Sequence, residues 1–262
     1  MARSPEGPPP PPTVQKLRLR YTKRGPLRFA SHRDLARALE RALRRAQVPM
    51  AFSAGFSPHP KISYVGAAPT GAASEAEYVE IGLAEARDPE AVRAALDAAL
   101  PPGIDVVDCV QAADGTGSLP ERIDASVWRI DLPGVPVADL TAAVEKFLVQ
   151  DVVLVAKRTK NGLRDVDARA AVVSATVGAD RADEAGCAIL TLVVRQAIPT
   201  VRPDDVVAAL AAVADLHPPS PARAVREAQG RLDDSGNVAD PLEPDRIAHP
   251  LPGGTHAGLS AG

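Results

Sequence analysis

The hydrophobic pattern of this chain changes period repeatedly, from alternation at every second residue to spacings of three and four. Residues 14–21 alternate apolar with mostly basic side chains, which predicts a half-buried strand. Residues 31–47 place leucines at helical spacing, with Ser31 in the N-cap position and Asp34 three residues later, a variant of the capping box. A chain that alternates these two periods is expected to fold into interleaved strands and helices, in the α+β class.

The same order of predicted elements occurs twice. In residues 14–113 we expect strands at 14–21, 61–64, 77–83 and 104–110, and helices at 31–47 and 89–100. In residues 121–232 we expect strands at 126–132, 152–157, 171–177, 188–195 and 222–232, and helices at 137–148 and 203–214. The order β-α-β-β-α-β predicts two tandem ferredoxin-like units, split β-α-β folds with antiparallel sheets and helices on one face. The second unit carries about one strand more than the first.

Both ends of the chain differ from this pattern. Residues 1–13 contain a run of five prolines at 8–12 and are expected to form a disordered, extended arm. Residues 233–262 are rich in Gly, Pro, Asp and Ser and are expected to be a disordered tail. The longest apolar run, 206–214, is too short to cross a bilayer, and the N-terminus lacks the apolar core of a secretory signal. These features predict a cytoplasmic protein with no membrane contact.

Charge is distributed unevenly. The chain has a net charge of −3, yet residues 14–64 contain twelve Lys or Arg against two acids, a local charge of +10. A basic block on an otherwise acidic protein indicates an anionic partner that binds in one place. The only cysteines, Cys109 and Cys187, are 78 positions apart, so neither a disulfide framework nor a metal site is predicted. Two separated cysteines also cannot supply the three clustered ligands of a site-differentiated iron–sulfur cluster, and we predict no cofactor.

The predicted helix at 31–47 carries arginines on its exposed side. They recur every three or four residues and line about 15–20 Å of the helix. One interpretation is an ordinary solvated face, and the other is a stripe that contacts several phosphates, for which guanidinium groups are well shaped. Basic residues of the preceding strand and loop favour the second interpretation and a nucleic acid as the partner. The arginines are Arg33, Arg37, Arg41, Arg44 and Arg45, and the preceding residues are Lys16, Arg18, Arg20, Lys23, Arg24 and Arg28.

Two histidines stand in restricted local sequences. Ser31 and His32 lie at a helix start, where free backbone N–H groups favour an anion and a neutral histidine could act as a base. The alternative is that Ser31 only caps the helix and His32 is a surface residue. His59 is held between two prolines in the segment 52–61. Phe52 and Phe56 in that segment either stack on a base or anchor the loop in the core.

These observations predict a binding site and leave an enzymatic site as the alternative. The predicted binding residues are Arg28, Ser31, His32, Arg37, Arg41, Arg45, Phe56, His59 and Lys61. The alternative is a small acid–base site of Ser31, His32, Asp34 and His59. Glu75, Glu77 and Glu80 predict a solvated strand edge, and Trp128 and both cysteines predict core positions. Neither a dinucleotide or P-loop fingerprint nor a GxSxG motif occurs.

Several segments resemble the radical-SAM-linked protein family, a bacterial domain of unknown function. The resemblance lies in residues 27–35, 37–46 and 52–63, and extends to 68–71, 74–78 and, more loosely, 229–232. Members are encoded beside, or fused to, a radical SAM protein, and some lie near RNA-processing genes. Many members have an apolar residue where this chain has Arg33, which places Arg33 at the periphery of the motif.

The resemblance implies an accessory role. With the charge pattern, it leads us to expect a non-catalytic module that holds an anionic substrate, such as tRNA or rRNA, for a partner radical SAM enzyme. The alternatives are the acid–base enzyme described above and a subunit that docks onto an acidic protein without nucleic acid.

Overall fold

A computed structural model describes residues 10–159, 162–179 and 187–249. The strands in these ranges are β1 (Gln15–Lys23), β2 (Ile62–Val65), β3 (Ala73–Leu83), β4 (Val106–Gln111), β5 (Ala125–Pro133), β6 (Leu154–Thr159), β7 (Gly162–Asp167), β8 (Val172–Ala179), β9 (Cys187–Arg195), β10 (Arg223–Leu232) and β11 (Val238–Ala239). The α-helices are α1 (His32–Arg45), α2 (Pro89–Ala99), α3 (Val137–Leu148), α4 (Ala168–Ala171), α5 (Pro203–Ala214) and α6 (Glu243–Ala248). Two short 3-10 helices span Gly25–Phe29 and Leu119–Arg122.

Nine of the described strands form one sheet in the order β4-β1-β3-β10-β5-β9-β8, with β2 also paired to β3 and β11 to β10. Strand β10 runs parallel to β3, and the other pairs in the sheet are antiparallel. Strands β6 and β7 form a separate antiparallel hairpin. The protein therefore has a mixed fold of helices packed on a large, mostly antiparallel sheet.

The two halves do not form the separate sheets that the sequence predicts. Strand β3 has eleven residues, whereas β2 has four and pairs only with residues 78–81 of β3. The first residues of β3 are thus left open, and β10 from the second half pairs there with Ala73 and Ser74. An unpaired strand edge attracts another strand because its backbone N–H and C=O groups need partners. The strand order is β4-β1-β3-β2 in the first half and β10-β5-β9-β8 in the second.

The four longer helices lie on one face of this sheet, over two hydrophobic cores. Helix α1 begins as predicted, with the capping box of Ser31 and Asp34, and buries its leucines against β1, β3 and α2. Helices α3 and α5 cover β5, β8 and β9 in the second core. Trp128 and both cysteines are buried, as predicted. No helix in the described ranges is long and apolar enough to cross a membrane.

The expected disordered tail is partly ordered. Residues 233–249, the tail segment, include β11 and α6 and pack on the sheet face opposite the helices, where Leu242 and Asp245 are fully buried. Its composition has little to bury, but Leu242 fills a small cluster with Tyr78 and Leu119. The single carboxylate of Asp245 adds contacts with buried arginines that composition does not show. Residues 250–262, and residues 1–9 of the predicted arm, lie outside the described residues.

The hairpin of β6 and β7 also departs from the prediction. A single buried strand was expected at 152–157, yet only alternate residues, Val153 and Val155, are buried, while Val152 and Leu154 are exposed. The hairpin packs one face against the protein and leaves the other to solvent, so it shows the pattern of a half-buried strand.

Gly230 is required for the tail segment to pair with β10. A Cβ added at this position would lie 1.7 Å from the carbonyl oxygen of Ala239 in β11, so Gly230→Ala must displace β11. We expect a loss of about 1–3 kcal/mol in the free energy of unfolding and faster proteolysis within the tail segment. Gly178→Ala is the control, because its Cβ would meet open space. Equal behaviour of the two variants in denaturant and protease would contradict this packing.

Candidate anion-binding site

Four arginines form an exposed stripe along α1. This arginine stripe spans about 16 Å at 1.5 Å per residue. None of its members forms an ion pair with another described residue, so their charges face solvent. Arg45, which was predicted to join them, instead donates from Nη1 to the backbone oxygen of Ala99, 3.0 Å away, and ties α1 to the end of α2. The arginine stripe consists of Arg33, Arg37, Arg41 and Arg44.

The basic residues of β1 do not extend this surface. Arg18 and Lys23 are buried, and Lys16 forms an ion pair with Glu80 on the neighbouring strand. In the loop that follows β1, Arg24 forms ion pairs with Glu75 and Asp105. Of the twelve basic residues of 14–64, three therefore form ion pairs with carboxylates of the described residues, namely Lys16, Arg18 and Arg24. The predicted solvated edge of Glu75, Glu77 and Glu80 is wrong for the same reason, since these carboxylates face the basic side chains of β1 and its loop.

Three residues of the alternative acid–base site, Ser31, His32 and Asp34, lie together at the start of α1, whereas His59 lies in a separate loop. Ser31 Oγ and Asp34 Oδ2 are 2.6 Å apart in the capping box, and this hydrogen bond holds the pKa of Asp34 below its usual value. His32 contacts the ring of Tyr64 in β2, with centroids 5.0 Å apart. His59 is exposed in the loop before β2, where its N–H donates to Ser53 Oγ.

Of the other predicted binding residues, Phe56, His59 and Lys61 are exposed, and Arg28 is half-buried. Phe56 is 70% exposed and Phe52 40%, so these rings do not anchor their loop in the core. The Arg28 guanidinium lies 4.7 Å from the centre of the Phe29 ring, just before α1. Lys61 Nζ donates to Thr13 Oγ1 at 2.9 Å. Exposed rings beside basic groups are a common arrangement in proteins that stack on unpaired bases.

A cluster of buried polar side chains lies where β3 meets β10, between the two hydrophobic cores. Arg226 pairs in register with Ser74 of β3 and with Trp128 of β5, and the Arg226 guanidinium lies 5.6 Å from the centre of the Trp128 ring. All members are at most 4% exposed. This junction cluster consists of Lys23, Ser74, Glu77, Arg226 and Gln229.

Two cations of the junction cluster share one carboxylate. Glu77 forms an ion pair with Arg226 and accepts hydrogen bonds from the backbone N–H of Ala68. Lys23 Nζ donates to the backbone oxygens of Ala68 and Pro69, at 3.3 and 3.1 Å. Burial lowers the pKa of Lys23, and the charge of Arg226 lowers it further, whereas Glu77 opposes the change. The site is therefore short of negative charge.

A cavity of about 530 Å³, the junction cavity, opens beside this cluster. Ser126, Trp128 and Arg226 line it from the sheet, and Gly66, Ala67 and Pro69 line it from the loop after β2. The remaining wall is residues 194–202, which contribute Arg195 and Arg202. No aspartate or glutamate lines this cavity. Three arginines and a tryptophan are therefore among the residues that line one small space.

The loop after β2 connects the junction cavity with the start of α1. The backbone N–H of Gly71 donates to the carbonyl oxygen of Arg28, 2.8 Å away. The segments 68–71, 74–78 and 229–232, which carry part of the family resemblance, meet at this junction. Sequence reasoning missed the site because its residues come from distant positions. Two signals were available in the sequence. Glu77 lies on the apolar face of the predicted strand 77–83, and Arg226 is a charged residue within the predicted strand 222–232.

The part of the chain that the structure describes also has a second cavity but no group of potential metal ligands. A cavity of about 1010 Å³ lies beside the tail segment, lined by Arg18, Glu80 and His249 among others. Within the described ranges, no group of three or more His, Cys, Asp or Glu side chains is arranged to hold a metal ion.

The protein thus has a mixed α/β fold, an arginine stripe on α1 and a cavity lined by three arginines. Residues 16–203, more than two thirds of the chain, match the family DUF2344, described as an uncharacterized protein conserved in bacteria. The chain belongs to this family. No curated protein matches it.

Proposed function

We propose that this protein is a binding module that holds an anionic substrate, structured RNA such as tRNA or rRNA, through the arginine stripe. The observation that carries the proposal is the set of four exposed arginines on one face of α1, none of which forms an ion pair with an acidic side chain among the described residues. Guanidinium groups form two-point hydrogen bonds with phosphate oxygens. A rigid helix holds these groups at fixed spacing, so binding costs little conformational entropy of the backbone.

Exposed aromatic side chains flank the arginine stripe in sequence. Phe29 is 61% exposed and precedes α1, and Phe56 follows it in an exposed loop. Bases that leave a helix stack on such rings, and stacking adds to phosphate contacts. These rings support an RNA with unpaired nucleotides over a purely double-stranded ligand.

The module is further proposed to serve a partner radical SAM enzyme, and the two halves are proposed to be tandem split β-α-β units. The first idea is supported by the resemblance of the N-terminal segments to radical-SAM-linked proteins, and by two cysteines that are both buried and far apart in sequence. The second is supported by the order β4-β1-β3-β2 in one half and β10-β5-β9-β8 in the other. In this arrangement the partner performs the chemistry and this chain presents the substrate.

Reversing two charges of the stripe tests the proposal. The variant Arg37→Glu with Arg41→Glu is expected to bind a small-RNA pool at least tenfold more weakly, because two phosphate contacts become repulsive. The slope of log affinity against log salt is expected to fall by roughly 0.7–0.9 per lost contact. The measurement is a binding titration of nuclease-treated protein across a salt series. Arg45 is left unchanged because it holds α1 to Ala99.

The matched control reverses Arg158 and Arg164 on the β6–β7 hairpin, which are exposed and lie outside this surface. The control is expected to retain the wild-type affinity and slope, apart from a small general effect of net charge. Equal losses in both double variants would contradict a specific role of α1. Absence of RNA binding by the wild-type protein, with retention of a protein partner after nuclease treatment, would favour the protein-docking alternative.

A further inference from the structure

The junction cavity has an excess of positive charge that the protein does not neutralise. Arg226 forms an ion pair with Glu77, whereas the fully buried Lys23 forms no ion pair with a described residue and donates to the backbone oxygens of Ala68 and Pro69. At the rim, Arg195 and Arg202 form no ion pair with another described residue. Nearby Asp205 accepts hydrogen bonds from Lys157 and from the backbone of Arg202, so its charge is already paired. An anion in the cavity would face cations on several sides.

A polar atom without a partner lies directly behind one wall of the cavity. Gln229 is 1% exposed, and its Oε1 is the buried side-chain atom of the described residues that lacks a hydrogen bond. This oxygen lies behind Gly66, since a Cβ on Gly66 would be 2.8 Å from it. Gly66 lines the cavity. An unsatisfied buried acceptor is costly and is typical of a site completed by a ligand or an ordered water.

We propose that the junction cavity is a binding site for a phosphate monoester of about mononucleotide size, anchored by Arg195, Arg202 and Arg226. The volume of about 530 Å³ lies within the range of small-molecule sites. Guanidinium groups match phosphate oxygens in geometry, and Trp128 supplies an aromatic wall for a planar group. Ser126, which lines the cavity, supplies a polar contact for the rest of the ligand.

Charge favours a monoester over a diester. The three arginines that line the cavity, less the one charge of Glu77, leave two positive charges even without Lys23 behind them, so a dianion neutralises more of this charge than a monoanion does. A phosphate monoester carries nearly two negative charges at pH 7, with a second pKa near 6, whereas a backbone diester carries one. Such a group occurs on a free mononucleotide and at the 5′ end of an RNA. Neither source depends on the arginine stripe, so this inference goes beyond the proposed function.

The test is calorimetric titration of the full chain with adenosine 5′-monophosphate and with adenosine. Adenosine 5′-monophosphate is expected to bind and adenosine to bind at least tenfold more weakly, because only the former has the dianion. The affinity is expected to rise from pH 5 to pH 7 as the phosphate loses its second proton, while the arginines remain charged. Equal binding of the two compounds, or no binding of the monophosphate at millimolar concentration and no preference for a 5′-phosphorylated RNA, would overturn the inference.

Two exposed arginines allow a variant that keeps the fold. Arg195→Gln with Arg202→Gln is expected to reduce monophosphate affinity by roughly tenfold for each lost guanidinium contact. Arg158→Gln with Arg164→Gln, on the β6–β7 hairpin, is the matched control and is expected to bind normally. Retention of full affinity by the rim variant would overturn the proposed anchors. Arg226 is left unchanged because it belongs to the buried ion pair.

A short RNA with a 5′-phosphate, compared with its 5′-hydroxyl form, distinguishes the two sources. Preference for the phosphorylated RNA without binding of the free nucleotide assigns the site to an RNA end, whereas binding of the nucleotide assigns it to a small ligand. The α1 variant Arg37→Glu with Arg41→Glu separates this inference from the proposed function. It is expected to bind adenosine 5′-monophosphate with unchanged affinity, whatever its effect on RNA.

Discussion

Replacing Asp245 with alanine is expected to lower the free energy of unfolding by about 3–5 kcal/mol. Asp245 is fully buried between two buried arginines, with Arg18 Nη1 2.9 Å from Oδ1 and Arg122 Nη1 2.7 Å from Oδ2. The backbone N–H of Ala113 and the hydroxyl of Thr116 also donate to Oδ1. Alanine leaves both guanidinium groups buried beside a cavity. Chemical denaturation of the two proteins measures the difference.

Glu243→Gln is the control in the same helix. Glu243 is about half exposed and forms an ion pair with Arg246 at the surface, so its loss is expected to change stability by less than about 1 kcal/mol. If Asp245→Ala were no more destabilising than this control, the tail segment would not be held to the sheet by its buried carboxylate.

The pH dependence of this stabilisation has a definite sign. Burial acts to raise the pKa of Asp245, but hydrogen bonds from Arg122, Ala113 and Arg18 outweigh it and hold the pKa below its usual value. The contribution is therefore complete above the unfolded pKa of about 3.9 and is lost as pH falls through the lower folded value. The gap in stability between the wild type and Asp245→Ala should be constant near neutrality and shrink below about pH 4.

Replacing Glu77 with glutamine is expected to cost about 3 kcal/mol of stability, the second largest effect. The change removes the one carboxylate between Lys23 and Arg226 while keeping the size of the side chain and an acceptor for the N–H of Ala68. Loss of a proton from Lys23 reduces the free-energy cost of burying its charge. The expected effect is therefore at the lower end of the range for broken buried ion pairs. Equilibrium unfolding in denaturant measures it.

A double-mutant cycle isolates the role of charge. Lys23→Met combined with Glu77→Gln is expected to cost about 0.5–3 kcal/mol less than the two single losses together, because one stranded cation is removed with its carboxylate. Glu75→Gln, in the same strand, is the control, and its partly exposed ion pair with Arg24 predicts a change of less than about 1 kcal/mol. Strict additivity in the cycle would show that Lys23 does not depend on Glu77.

The helices and most strands were predictable because their signals are local. The predicted helices at 137–148 and 203–214 coincide with α3 and α5, and α1 begins at the capping box of Ser31 and Asp34. These elements are set by apolar spacing and by caps within a few residues. The arginine stripe was equally visible, since residues on one helix face recur at spacings of three and four.

The pairing of the halves and the junction cluster were not predictable in this way. The edge of β3 accepts β10 because β2 is short, and this contact joins residues about 150 positions apart. Strand β10 brings Arg226 and Gln229 to Glu77, and the tail segment brings Asp245 to Arg18 and Arg122. From the sequence alone, Glu77 was expected at a solvated strand edge and Asp245 in a disordered tail. A buried charge has no local pattern, because its partner comes from elsewhere in the chain.

The sequence by itself therefore determined the type and place of the main elements and the basic face of α1. Only the tertiary structure decided which charges remain exposed, how the two halves share one sheet and where a cavity collects Arg195, Arg202 and Arg226. The physical reason is the distance along the chain between the residues that interact. Helix spacing and capping act over a few residues, whereas strand pairing and charge neutralisation depend on segments that meet only after folding.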